Sequence, residues 1–386
     1  MSDVKTKRNL EGCLKKFLKS PLAFPVIALI VMLIINFLVQ AFQGKGLDFF
    51  KISIMHEAGW TPDQGMFAGS PRLYGFLIDI LNRSCELIIL AVGMTLVVAS
   101  SRGTDISVGS VMAISAAVII KLLGESADGY NMWPPLAILL GFAAATACGA
   151  FNGLLVAHLN IQPMVATLIL YTAGRGIAQL ICTRVSETGA VATGVILHVH
   201  MDSFKYIGGV IPGCPVPTPM FIVVGFVILT MLLLKKTALS LYIQTVGINP
   251  KAGRLVGLNS TFIMFFCYLF CGLAAGVSGM IASSRIYSCD ANNVGLNLEM
   301  DAILAVALGG NSLAGGKFNM AGSVIGAITI QCLSTILYSL GVSADQLPVY
   351  KAIVVILIVL AQSPEIAKLR AAAKLKKQNK SLKGVA

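Results

Sequence analysis

Few residues in this chain have the type and spacing to do chemistry. The stretch Gly309-Gly310-Asn311-Ser312-Leu313-Ala314-Gly315-Gly316-Lys317-Phe318 invites comparison with a phosphate-cradling loop. It lacks the parts. Asn311 stands where the first glycine belongs, and Phe318 replaces the Ser or Thr that would hold magnesium. The chain therefore does not bind ATP through that motif. His198 and His200 are neighbours, but two ligands do not make a zinc site, and no metal is expected. The nine cysteines contain no Cys-x-x-Cys pair. Cys148, Cys182, Cys267, Cys271 and Cys332 lie in apolar runs and read as small core residues. Cys214 and Cys289 fall in segments predicted to be external, where a disulfide is one option. No nucleophile elbow and no His-Glu-x-x-His helix is present. A catalytic role is thus without a catalytic set.

What remains is a group of polar side chains inside or beside apolar runs. Asp105 and Ser107 sit in the turn Ser101–Gly109, where Asp105 is placed to cap the following helix at the cytoplasmic face. Asn152 and Gln162 are predicted as buried or half-buried amides that bond neighbouring helices or line a polar route. Arg175 lies inside an apolar run, where a charge is costly and is usually functional or paired; Glu86, Glu299 and Asp301 are its candidate partners. Asp290, Asn292 and Asn293 make an amide-rich external segment that suits a hydroxylated ligand, a docking surface or an ordinary turn.

The elements that position these residues follow from composition. Hydrophobic residues make up 56% of the 386, charged residues 12%, and mean hydropathy is +0.83. A soluble domain carries about 25% charge. The chain reads as an all-α integral membrane protein of about ten spans. A basic N-terminus over 1–21 leads into a polytopic domain over 22–362, and a basic tail follows over 363–386. Predicted external loops cover 43–83, 184–218 and 285–298. With the N-terminus inside, the cytoplasmic segments hold 19 of the 29 Lys and Arg but 4 of the 17 Asp and Glu. That asymmetry satisfies the positive-inside rule, with both termini in the cytoplasm. The basic residues flank membrane runs, so nucleic acid is not the expected partner; the lipid surface is.

The polar island Gln244–Asn259, within a cytoplasmic loop over 237–259, reads as one short capped helix. Asn249 is a good N-cap, Pro250 suits the first helical position, and Gly257 can close the helix left-handed. Ala252, Leu255 and Val256 fall on one face, away from Lys251 and Arg254. So short a helix is marginal alone, so that face is expected to dock.

The chain also repeats itself. Glu86 to Gly109 and Glu299 to Gly322 span the same interval, each with an Ile-Leu-Ala-Val run and a closing Gly-Ser-Val. Internal duplication is common in transporters.

Four stretches carry a resemblance: GTDISVGSVMAI, FNGLLVAHLNIQPMVATLILYTAGRGIAQLI, TVGINPKAGRLVGLN and GLNLEMDAILAVALGGNSLAGGKFNMAGSVIGA. Together they resemble the permease subunits of bacterial ATP-binding-cassette sugar importers of the ribose type, from about Leu73 to Gln362. Within that family YGFLIDILNR, GRGIAQLI and DANNVGLNLEMDAILAV are most similar to the galactofuranose branch. The resemblance implies a multi-pass protein of the bacterial cell membrane, paired with a second permease, itself or a sister chain. Cytoplasmic ATPase subunits would bind the ATP and magnesium, and an external binding protein would deliver a monosaccharide. It also implies that Gly247, Asn249, Pro250, Ala252, Arg254, Leu255, Val256 and Gly257 form the element that couples to the ATPase. Asn311 stands where relatives often carry glycine. The alternatives are a same-fold permease for branched-chain amino acids or nucleosides, and an ion-coupled secondary transporter; acids clustered at helix ends speak against the latter.

Overall fold

The structure is a computed structural model that describes residues 20–362, apart from 21, 45, 56–70, 125–131, 186–190 and 200. The basic N-terminus, the basic tail and His200 lie outside the described residues. The chain divides into two compact units, residues 1–332 and 333–386.

The first unit is a helical bundle. Helix α1 spans Ala23–Phe42 and α2 spans Phe76–Ser101. Then come α3 (Val108–Leu123), α4 (Pro134–Gly153) with a π turn over Leu154–His158, and α5 (Pro163–Ile181). A small α6 (Asp202–Gly208) precedes α7 (Thr218–Lys236), α8 (Leu239–Ile248), α9 (Pro250–Leu255) and α10 (Ser260–Ile286). Helix α11 covers Leu298–Leu308, and α12 begins at Met320 and runs to Ser339, into the second unit. The second unit adds α13, Leu347–Gln362. Proline occupies the first turn of α4, α5, α7 and α9, where its missing N–H costs nothing.

Among the described residues, seven helices are long and apolar enough to cross a membrane: α1, α2, α4, α5, α7, α10 and α12. Helix α3 is a shorter apolar helix, and α11 has 11 residues, short of the roughly 20 that a crossing needs. Large apolar side chains face outward from α1 (Ile27, Ile30, Ile34), α4 (Leu139) and α7 (Val224, Leu229). A multi-pass membrane protein presents such faces to lipid.

Helix α2 is the axis of the bundle, with every residue from Leu87 to Ser100 buried. It lies antiparallel to α10. Arg285 donates to the Asn82 carbonyl (2.9 Å), Ser278 to the Glu86 carbonyl (3.1 Å), and Ser101 meets the Tyr268 hydroxyl (3.2 Å). Small residues let the backbones approach: a Cβ at Gly149 on α4 would lie 2.9 Å from the Gly272 Cα on α10.

The chain is mostly helical, with short antiparallel strand pairs between helices: β1 (Ser53–Met55) with β2 (Arg72–Tyr74), β3 (Arg184–Val185) with β4 (Val191–Ala192), and β5 (Leu197–His198) with β6 (Ser288–Cys289). The structure corrects two boundaries. The loop expected over 43–83 ends at Gly75, because α2 starts at Phe76 and carries Asp79, Asn82 and Arg83 on its first turns. Hydropathy delays that start; the Asp79–Arg83 pair at 2.9 Å is an ordinary i,i+4 helix bridge. The segment 237–259 is a helix pair, α8 and α9, where one short helix was expected.

Candidate functional site

Helix α9 is built as its sequence predicts. The Asn249 side-chain oxygen accepts from the backbone N–H of Lys251 (3.0 Å) and Ala252 (3.2 Å). Gly257 has φ +84°, a left-handed turn open to glycine at little cost. Gly253 is the buried residue, while Leu255 is 89% and Val256 71% exposed, and Ala252 is exposed too. The apolar face docks on nothing within the described chain. Lys251 and Arg254 stand beside it, also exposed.

Behind α9, three chain segments converge. Arg102 ends α2 in the left-handed region at φ 58°. Its Nε donates to the Gly247 carbonyl at 2.6 Å and its Nη2 donates to the Ile248 carbonyl, both at the end of α8. The turn after α11 joins them, as the Gly316 N–H donates to the Ala99 carbonyl of α2 at 2.9 Å. Glycine is obligatory at Gly247. A Cβ there would sit 1.8 Å from the Ala99 oxygen and 2.7 Å from the Gly316 nitrogen.

Two buried polar knots lie further into the bundle. In the first, Asp105 Oδ1 accepts from the Ser107 N–H (2.9 Å) and the Ser107 hydroxyl (2.7 Å). The Asn152 amide donates to Ser107 Oγ at 2.8 Å and reaches Asp105 at 3.5 Å. Asp105 is 2% exposed and its N–H meets the Met94 sulfur, so its carboxyl is enclosed by the helices. It bonds the N-cap residue Ser107 and none of the first amides of α3. In the second knot, Asn311 Nδ2 donates to Ser323 Oγ (2.8 Å) and to the Val306 carbonyl (3.1 Å), and Thr95 of α2 donates to the same Ser323 oxygen at 2.7 Å. Arg102 and Gly315, which the repeat makes equivalent, are both left-handed.

The remaining polar residues part company. Gln162 is exposed, a correction to its expected burial, because it precedes the first turn of α5 with its side chain uncommitted to a cap. Arg175 makes no ion pair with Glu86, Glu299 or Asp301; it donates to the carbonyls of Ala291 and Val294. Glu86 pairs with Arg285 instead, at 3.6 Å. Glu299 is fully buried, and a Cβ at Gly109 would lie 2.2 Å from its Oε2. Asp290 closes an Asx turn on the Asn292 N–H (2.9 Å) and holds the Asn293 amide (2.6 Å), while Gln179 of α5 donates to Asn292. Cys289 and Cys182 are buried, Cys214 is half-buried, and all three are free thiols. Sequence reasoning did not single out Arg102, Thr95 or Tyr268. A lone arginine after a helix gives no signal of the carbonyls it will meet.

The profile of the branched-chain amino acid transport system permease component matches residues 76–362. The chain belongs to that family. The permease is 37% identical over 378 residues to the fructose import permease of Bifidobacterium longum, covering 98% of this chain and 97% of that one. It is 42% identical over 294 residues to the galactofuranose transporter permease of Escherichia coli, covering 76% and 81%. It is 36% identical over 288 residues to the ribose import permease of the same species, covering 74% and 85%. No solved structure gives a significant match. The permease is thus a transport component.

Proposed function

We propose that this permease is the membrane subunit of an ATP-driven importer for a monosaccharide. It spans the bilayer ten times with both termini in the cytosol; α3, α13 and the short α11, as a broken span, supply those beyond the seven long helices. The charge asymmetry of its segments supports that orientation. The single observation that carries the mechanism is α9: a capped helix whose apolar face is bare within the described chain and whose root is bonded into the buried axis. Partner ATPases hold the ATP and magnesium. Closure of that pair pushes α9, which tilts glycine-packed helices and opens the route alternately to each side. A second permease, itself or a sister chain, completes the route, and an external binding protein loads it. The outer segment with Asp290, Asn292 and Asn293 is the side facing that receptor. Asp105, Ser107, Asn152 and Asn311 hold the helices that line the route.

Three relatives are named for fructose, galactofuranose and ribose. These sugars share an accessible five-membered ring, so we take a sugar of that kind as the cargo. The family description names branched-chain amino acids, so leucine is the competing cargo. Purification from mild detergent should bring down an ATPase and an external binding protein. That binding protein should take fructose, galactofuranose or ribose; one that takes leucine alone rejects the sugar reading.

A further inference from the structure

We infer that Arg102 is the positioning residue that transmits movement of α9 into the axis helix α2. The inference rests on the importer reading above and extends it to one side chain.

A push on α9 needs a stiff link to the centre of the bundle. The apolar tip does not supply it, since Leu255 and Val256 point away from the chain, and the Ser260 hydroxyl ties the Pro250 carbonyl to α10 (2.9 Å) but not to α2. The link is at the root of α9. Arg102 follows the last residue of α2, and its guanidinium donates to the carbonyls of Gly247 and Ile248, two consecutive residues just before the N-cap Asn249. A planar guanidinium with donors on fixed vectors holds two carbonyls in one orientation, which an ammonium cannot do. The Arg102 backbone is itself fixed, because φ 58° leaves a non-glycine residue little room to move.

The junction also engages the second half of the repeat. Gly316 donates to Ala99, one helical turn before Arg102, and a Cβ at Gly315 would sit 2.7 Å from Arg102 Cγ. Arg102 therefore lies where α8, α2 and the 309–319 turn meet. A shift of the Gly247–Ile248 carbonyls is delivered to both halves at once. Above the junction the same helix carries Thr95, which bonds Ser323 of the second knot, and the chain beyond Arg102 reaches Asp105 of the first.

The test uses the full complex of permease, ATPase and binding protein in liposomes. Two ratios are read: sugar moved per ATP hydrolysed, and hydrolysis with loaded binding protein over hydrolysis without it. Neither depends on the amount of folded protein. In Arg102→Ala the ATPase still co-purifies and basal hydrolysis continues, because the nucleotide site is on another chain. Both ratios fall by about tenfold, within the usual range of coupling between sites. Arg102→Lys reaches one carbonyl and recovers part of each ratio. If Arg102→Ala does not insert, Arg102→Lys alone decides, and wild-type ratios in it overturn the inference. Wild-type ratios in Arg102→Ala overturn it as well. A wild-type chain that captures no ATPase overturns the importer reading, and this inference with it.

Discussion

Asn249 holds two backbone N–H groups that nothing else in the described chain satisfies. Replacing it with alanine should cost about 1 kcal/mol of local helix stability. Amide exchange at Lys251 and Ala252 should quicken accordingly, with the bundle unchanged. Leu255 poses the opposite case. It is 89% exposed, so Leu255→Asp should leave melting in detergent unaltered. It should nevertheless separate ATP hydrolysis from uptake, and normal sugar uptake by this variant rejects the role of the α9 face. Asp105 is buried and serves Ser107 twice. Asp105→Leu strands those two donors at about 1–3 kcal/mol for each buried group. Melting of the detergent-solubilised variant should drop by several degrees. A variant as stable as wild type contradicts the described bonds.

At the scale of elements, glycine sets how close helices come. Gly247 and Gly326 are the tightest examples: a Cβ at either would lie 1.8 Å from Ala99 O or 2.1 Å from Ala305 O. Gly247→Ala forces α8 away from α2, and overpacking of this kind costs about 1–3 kcal/mol. Uptake should fall together with thermal stability, read by transport and by melting on the same preparation; unchanged stability refutes the close approach. Much of this level was legible beforehand. The cap, the helix-starting prolines and the apolar runs are local signals, and the structure places α9 on Asn249, Pro250 and Gly257 as read. The misreadings came from long-range partners. The early turns of α2 look like loop because Asp79, Asn82 and Arg83 lower hydropathy, yet they lie on the helix. Arg175 looked in need of a carboxylate, but carbonyls left free in the 291–294 turn serve it. The strand pair of β5 with β6 joins residues some ninety positions apart, which no local pattern announces.

The whole molecule is a mostly helical transport component, and on the proposed reading it is a gate driven by its partners. Two buried polar knots brace it, one at Asp105 and Ser107 and one at Asn311 and Ser323. On the proposed reading, the exposed face of α9 receives the ATPase. Sugar flux into proteoliposomes with the ATPase and binding protein present or absent tests this most directly. Uptake should require both proteins and ATP, and it should stop when either is left out. Sugar crossing at the full rate through the permease alone, driven by an ion gradient or by nothing, contradicts the account.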